Sequence, residues 1–111
     1  MKDAVIVSRN GMGIGDPVLG LTLLARYLKA DYENPEQRAS RYVFYNGGVR
    51  AALLAPEVND YLKKLEAEGA LVLLCGTCLD HFELTTSVNV GKNACLGDVR
   101  ESMAMARVDY L

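Results

Sequence analysis

The segment Ala70-Leu71-Val72-Leu73-Leu74 is an unbroken apolar run that stops at Cys75-Gly76-Thr77-Cys78. A strand with one wet face alternates apolar and polar residues. A run without alternation is buried on both faces, which is the habit of strands in a parallel sheet sheltered by helices. Two further strand patterns, Ala4 to Ser8 and Arg41 to Tyr45, are each followed by a glycine- or asparagine-rich loop and then by helical periodicity. The pattern predicts an α/β protein: a three-layer α/β/α sandwich on a mostly parallel sheet of about five strands.

The helices announce themselves through their ends. Asp16-Pro17 supplies an N-cap and a proline at the first helical position, opening a helix expected to reach about Ala30. Val18, Leu21, Leu24 and Leu28 fall on one side of it, and Leu19 and Leu23 add apolar surface elsewhere, more than one sheet can cover. Self-association into a homo-oligomer is therefore expected. The polar stretch Tyr32 to Ser40 reads as a surface loop, and a short helix is expected to run through Leu54. Pro56 opens another, with Val58, Leu62 and Leu65 inward and Gly69 as its stop. A weak fourth strand is expected around Ser87 to Val90, with Asn89 to Asn93 as its loop. Asp98 is expected to cap a last helix with Val99 and Met103 inward, before a final strand from Val108 to Leu111.

With 111 residues, half of them apolar, the chain suits one domain that folds without metal or disulfide. A net charge of −2 with mixed signs supplies no basic face for nucleic acid. The N-terminus lacks the apolar core and cleavage site of a signal peptide, and no stretch is long enough to span a membrane. A cytoplasmic setting is expected. In a reducing compartment three cysteines are no disulfide framework, so a Cys-x-x-Cys pair points to catalysis or metal.

Cys75 stands at the carboxyl end of its strand, the edge where open α/β sheets place ligands and reactive groups. Two thiols three residues apart near a helix start are expected to share a lowered pKa and to exchange a disulfide. Cys75 is expected to be the nucleophile and Cys78 the resolving or second carrying thiol, with His81, the single histidine, as base or cationic neighbour. The loops after the strands should converge beside them. This nominates Gly11, Met12 and Gly13 in the first loop, Asn46 and Gly47 in the second, Gly76 and Thr77 between the cysteines, and Lys92, with Arg9, as a source of positive charge. Cys95 has no partner in sequence and is read as structural.

Two other chemistries fit less well. Gly11-x-Gly13-x-Gly15 places its third glycine too early for a dinucleotide fingerprint, and no Gly-Lys-Ser/Thr follows for a P-loop. Cys75, Cys78, His81 and Cys95 supply four ligands of the right types for zinc, but the spacing between Cys78 and His81 matches no familiar structural site.

Three blocks together carry a family likeness: Met12-Gly13-Ile14-Gly15-Asp16 with Leu19-Gly20, Phe44-Tyr45-Asn46-Gly47-Gly48-Val49, and Leu74-Cys75-Gly76-Thr77-Cys78-Leu79. In order and spacing they resemble the DsrE/DsrF-like superfamily, and in particular the DsrE-type domain of the YedF proteins, sulfurtransferase-like proteins associated with selenium metabolism. The resemblance covers nearly the whole chain. It implies a DsrEFH-like sandwich, oligomer formation, and a persulfide-carrying cysteine at the position of Cys75. YedF proteins usually add a TusA-like domain with a Cys-Pro motif. No Cys-Pro pair occurs here, so the sulfur donor and acceptor, for instance a cysteine desulfurase or a TusA-like protein, are expected to be separate chains.

The expected function is a sulfur relay: sulfane sulfur, or selenium, held as a cysteine persulfide and passed to a partner by thiolate attack, with no organic cofactor. The alternatives are a thiol–disulfide reductase using the same pair, and a non-catalytic binding module in which the thiols are incidental. A thioredoxin arrangement is disfavoured, because the strand–helix order differs and no proline precedes a strand where a cis-proline would sit.

Overall fold

The computed structural model describes residues 1–111. Its five strands are β1 (Lys2–Val7), β2 (Ala39–Phe44), β3 (Leu71–Cys75), β4 (Lys92–Ala94) and β5 (Val108–Tyr110). They form one sheet in the order β4-β3-β2-β1-β5, and every pairing is parallel. The helices between them are α1 (Pro17–Glu33), α2 (Gly48–Leu54), α3 (Pro56–Ala67), α4 (Gly76–His81) and α5 (Leu96–Met103). The α/β sandwich expected from the apolar runs is the architecture found.

Strand order decides which helix covers which face. From β1 to β4 the chain steps sideways in one direction, so right-handed crossovers lay all the connecting helices on the same face. Val5, Val7, Phe44 and Leu74 of the sheet pack there against Leu24, Leu28, Leu62 and Leu79 of the helices. The last crossover turns back past β1 to reach β5, which puts α5 alone on the other face. That second core is small: Ala4, Ile6, Val43, Leu73, Cys75 and Ala94 beneath Val99.

Asp16 caps α1 as its sequence indicates, accepting the Leu19 N–H at 2.8 Å. The helix runs three residues beyond Ala30, and a short 3-10 turn over Pro35–Gln37 then leads into β2 at Ala39. The inward stripe of α1 is Gly20, Leu24, Ala25, Leu28 and Asp31. Val18, expected on the buried side, is instead 75 % exposed. The fourth strand is displaced as well: Thr85–Ser87 is a 3-10 turn, and the pairing segment is Lys92–Ala94, overlapping the stretch expected to be loop. Asp98 is not the cap of α5. Cys95 holds that position, and Asp98, in the first turn, accepts the Cys95 N–H at 3.0 Å to complete a capping box.

At the amino end of the sheet, the buried Asp31 carboxylate accepts from Lys2 Nζ at 2.6 Å and from the Tyr42 hydroxyl at 2.8 Å. Tyr27 donates to Asp109 at 2.5 Å beside them. These bonds tie α1 to β1, β2 and β5. No helix is long and apolar enough to cross a membrane.

Candidate functional site

The carboxyl edge of the sheet gathers its loops through a row of close approaches. Gly47, in the turn after β2, lies against the backbone of Asn10, which follows β1; a Cβ there would stand 3.1 Å from the Asn10 nitrogen. Asn46 donates its backbone N–H to the sulfur of Cys78 at 2.9 Å. Gly76 faces Asn93 so closely that a Cβ would strike the Asn93 side-chain oxygen. Loops from β1, β2 and β3 therefore meet one another and the edge of β4.

Cys75 is the last residue of β3 and the N-cap of α4. Its side chain is 3 % exposed and belongs to the small core with Ala94 and Val99. Cys78 lies one turn on, partly exposed, and the two thiols are 3.4 Å apart. Both are free, as is the exposed Cys95. The expected lowering of thiol pKa is not what the surroundings of Cys78 produce. Partial burial pushes its thiol above the ordinary value, and the neighbouring Cys75 pushes the same way, while the Asn46 N–H opposes them. The amide donor thus meets Cys78, whereas Cys75 makes no side-chain capping bond to the turn that follows it.

The remaining nominated residues divide. Asn46 and Gly47 are in the cluster, and Gly76 and Thr77 form the turn between the thiols. Asn46 has φ of +50°, a left-handed conformation that asparagine tolerates better than most residues. Gly11 and Met12 turn away to α1: Met12 N–H donates to the Gly20 carbonyl at 2.9 Å, and Gly11 is pressed against the Gly20 backbone. Gly13 stands in open space at φ +79°. Lys92 pairs with Leu73, two residues short of Cys75, and its charge acts on Asp98. His81 is exposed and set edge-on to Phe82 at 4.9 Å between ring centres; it bonds neither thiol. No group of three or more His, Cys, Asp or Glu side chains is placed to hold a metal ion.

The Asn46 amide is the functional group that residue types alone do not reveal in this role, because any residue but proline carries one. The thiols also lack an enclosing cavity. The surface depressions lie elsewhere, the most apolar being a groove of about 390 Å³ lined by Val18, Leu21, Leu54, Pro56 and Val58 among others. An open edge with a paired thiol can accept and release a thiol-bound group without swallowing the carrier.

No protein-family model matches the chain, and no curated protein matches it significantly. Solved structures do. The YchN protein from E. coli superposes with a TM-score of 0.70 over 100 % of both chains, at 20 % identity. The chain shares the YchN fold. A conserved protein of unknown function from Bacteroides thetaiotaomicron, BT1422, superposes with a TM-score of 0.67 at 10 % identity, covering 98 % of this chain and 95 % of that one. At such identities the likeness to YchN and BT1422 is one of architecture. It agrees with the DsrE-like sandwich that the sequence blocks imply, and it does not single out the YedF proteins within that fold.

Proposed function

We propose that this protein carries sulfane sulfur as a cysteine persulfide on the Cys75–Cys78 pair and passes it to a partner protein. The observation that supports this most directly is the contact itself: two free thiols 3.4 Å apart at the carboxyl edge of the sheet, one buried and one reachable. Exchange between them needs only a thiolate and a sulfur–sulfur bond. The open edge suits a sulfur atom presented on another protein's cysteine, such as a cysteine desulfurase or a TusA-like carrier. Selenium, with the same bonding, is the alternative cargo. The exposed Val18 and Leu54 at the groove between α1 and α2, with the exposed Leu19 and Leu23 elsewhere on α1, support self-association, which sedimentation velocity measures directly.

Intact-protein mass spectrometry after incubation with a cysteine desulfurase and cysteine tests the carrier reading. At short times, before the sulfur moves on, wild type is expected to gain sulfur that reductant removes, while Cys75→Ser/Cys78→Ser gains none. Equal loading of both proteins would sink it. The short separation also favours a second reading, reduction of protein disulfides by the same pair. Turnover of insulin disulfides in the presence of a dithiol reductant distinguishes it.

A further inference from the structure

The two thiols differ in whom they can meet. Cys78 is partly exposed and held by the Asn46 N–H, whereas Cys75 is 3 % exposed among Leu73, Ala94 and Val99. An outside donor reaches Cys78 first. Cys75 touches Cys78 from behind and is closed to any protein-borne sulfur. Resting on the uptake half of the carrier reading, we propose that Cys78 takes up the sulfur and Cys75 expels it by closing a Cys75–Cys78 disulfide, so that it reaches an acceptor as hydrosulfide and not as a persulfide.

The steps balance. In loading, the Cys78 thiolate attacks the outer sulfur of a persulfide or polysulfide donor. A bond from Cys78 Sγ to that sulfur forms, the donor's S–S bond breaks, and the donor leaves as a thiolate. In release, Cys75 gives its proton to solvent and its thiolate attacks Cys78 Sγ. The Sγ–Sγ bond forms, the bond to the outer sulfur breaks, and that sulfur departs with the electron pair as hydrosulfide. The two cysteines are oxidised to a disulfide, and the sulfane sulfur is reduced to sulfide. An external dithiol reductant then returns the pair to its starting state with two electrons.

Geometry favours release over waiting. From 3.4 Å the sulfurs must close to the disulfide length of about 2.05 Å, a small displacement at a helix start. Cys75 is an intramolecular nucleophile already in contact, whereas an acceptor protein must arrive by diffusion. The order of the thiols is the reverse of that expected from sequence, where Cys75 takes the sulfur. Burial is what reverses it.

Sodium polysulfide is the probe. Reduced protein is loaded briefly, freed of small molecules, and followed by intact mass and by sulfide evolution. Wild type is expected to lose two hydrogens in mass and to release close to one sulfide per sulfur loaded. Cys75→Ser is expected to keep one added sulfur on Cys78 and release sulfide roughly a hundredfold more slowly, since the intramolecular attack is gone. Cys75→Ala, which buries no hydroxyl, is run beside it in case the serine disturbs folding. Cys78→Ser is expected neither to load nor to release.

If wild type and Cys75→Ser hold the added sulfur equally and release none, the carrier reading stands and this proposal falls. If Cys78→Ser loads Cys75 at the wild-type rate, the assigned order is overturned. If no protein gains sulfur or loses hydrogen, both readings fall together.

Discussion

The backbone N–H of Asn46 and the sulfur of Cys78 are 2.9 Å apart, which fastens the turn after β2 to the first turn of α4. The bond depends on backbone shape, since Asn46 sits at φ +50°. Asn46→Gly is therefore expected to leave both stability and Cys78 labelling near wild type. Asn46→Val forces a branched side chain into the left-handed region at a cost of about 1–2 kcal/mol. Urea unfolding reads the cost, and equal midpoints for the two variants would remove the strain argument.

Alkylation of the native protein should separate the three cysteines. Cys78 and Cys95 are expected to react with iodoacetamide, and Cys75 only when the protein opens, at least about tenfold more slowly. Because burial raises the Cys78 pKa, its rate should still be climbing with pH beyond about 8.5, where a free thiol is half ionised. Peptide mapping across a pH series measures both. A Cys75 that labels as fast as Cys78 would contradict its burial.

Alkali should destabilise the fold before it damages the chain. Burial, with a bond to Asp109, raises the Tyr27 pKa. Burial likewise raises that of Tyr42, with the Asp31 bond adding to it against the opposing Ala39 N–H. A raised folded pKa means the folded state holds its proton more tightly than the unfolded chain. The associated stability is complete below the unfolded value of about 10 and is lost as pH climbs above it. Cys78 acts in the same direction from a lower pH. Urea midpoints are expected to fall between about pH 8 and 10.5; a flat profile would show that these groups ionise alike in both states.

Two glycines with similar crowding should respond differently. A Cβ on Gly48 would run into the Val7 carbonyl oxygen, which is backbone inside the sheet, so Gly48→Ala is expected to cost about 3 kcal/mol or more. A Cβ on Gly76 meets the end of the Asn93 side chain, which is exposed and free to turn, so Gly76→Ala should cost less than about 1 kcal/mol. Thermal melts of the two variants decide it, and a reversed ranking would refute the argument.

The Asp31–Lys2 pair gives a different kind of test. Asp31→Asn alone, or Lys2→Met alone, leaves a buried partner without its counter-charge and is expected to cost roughly 3 kcal/mol, less for the part-exposed lysine. The double variant removes both charges and should lose much less than the two single losses added together. Additive losses in urea would mean that the two side chains do not act on each other.

Apolar runs and helix ends make the sandwich readable. Asp16-Pro17, Pro56 and Leu71 to Cys75 behave as local chemistry demands, because caps and doubly buried strands are written in consecutive residues. Val18 escapes such reading because the face of α1 is set by where Gly11 and Met12 press on Gly20, a contact no helical period contains. The fourth strand escapes it because Lys92–Ala94 joins β3 through backbone bonds at an edge, where side chains need not be apolar. The thiol pair is plain in the sequence. Its inner and outer members are not, since burial of Cys75 comes from α5, about twenty residues further along the chain.

That last helix gives the site a second consequence. Cys75 sits on the side of the sheet whose only helix is the eight-residue α5, with Tyr45 and Met105 packed beside it, while the other side is walled by the four remaining helices. Making or breaking a bond at its sulfur shifts a stone in the thinner wall. The buried side chains that share that layer with it include Ala94 and, on the inner face of α5, Val99. On the proposed reading, a partner resting on the outer surface of α5 would sense whether the Cys75–Cys78 bond is closed or open without ever touching sulfur.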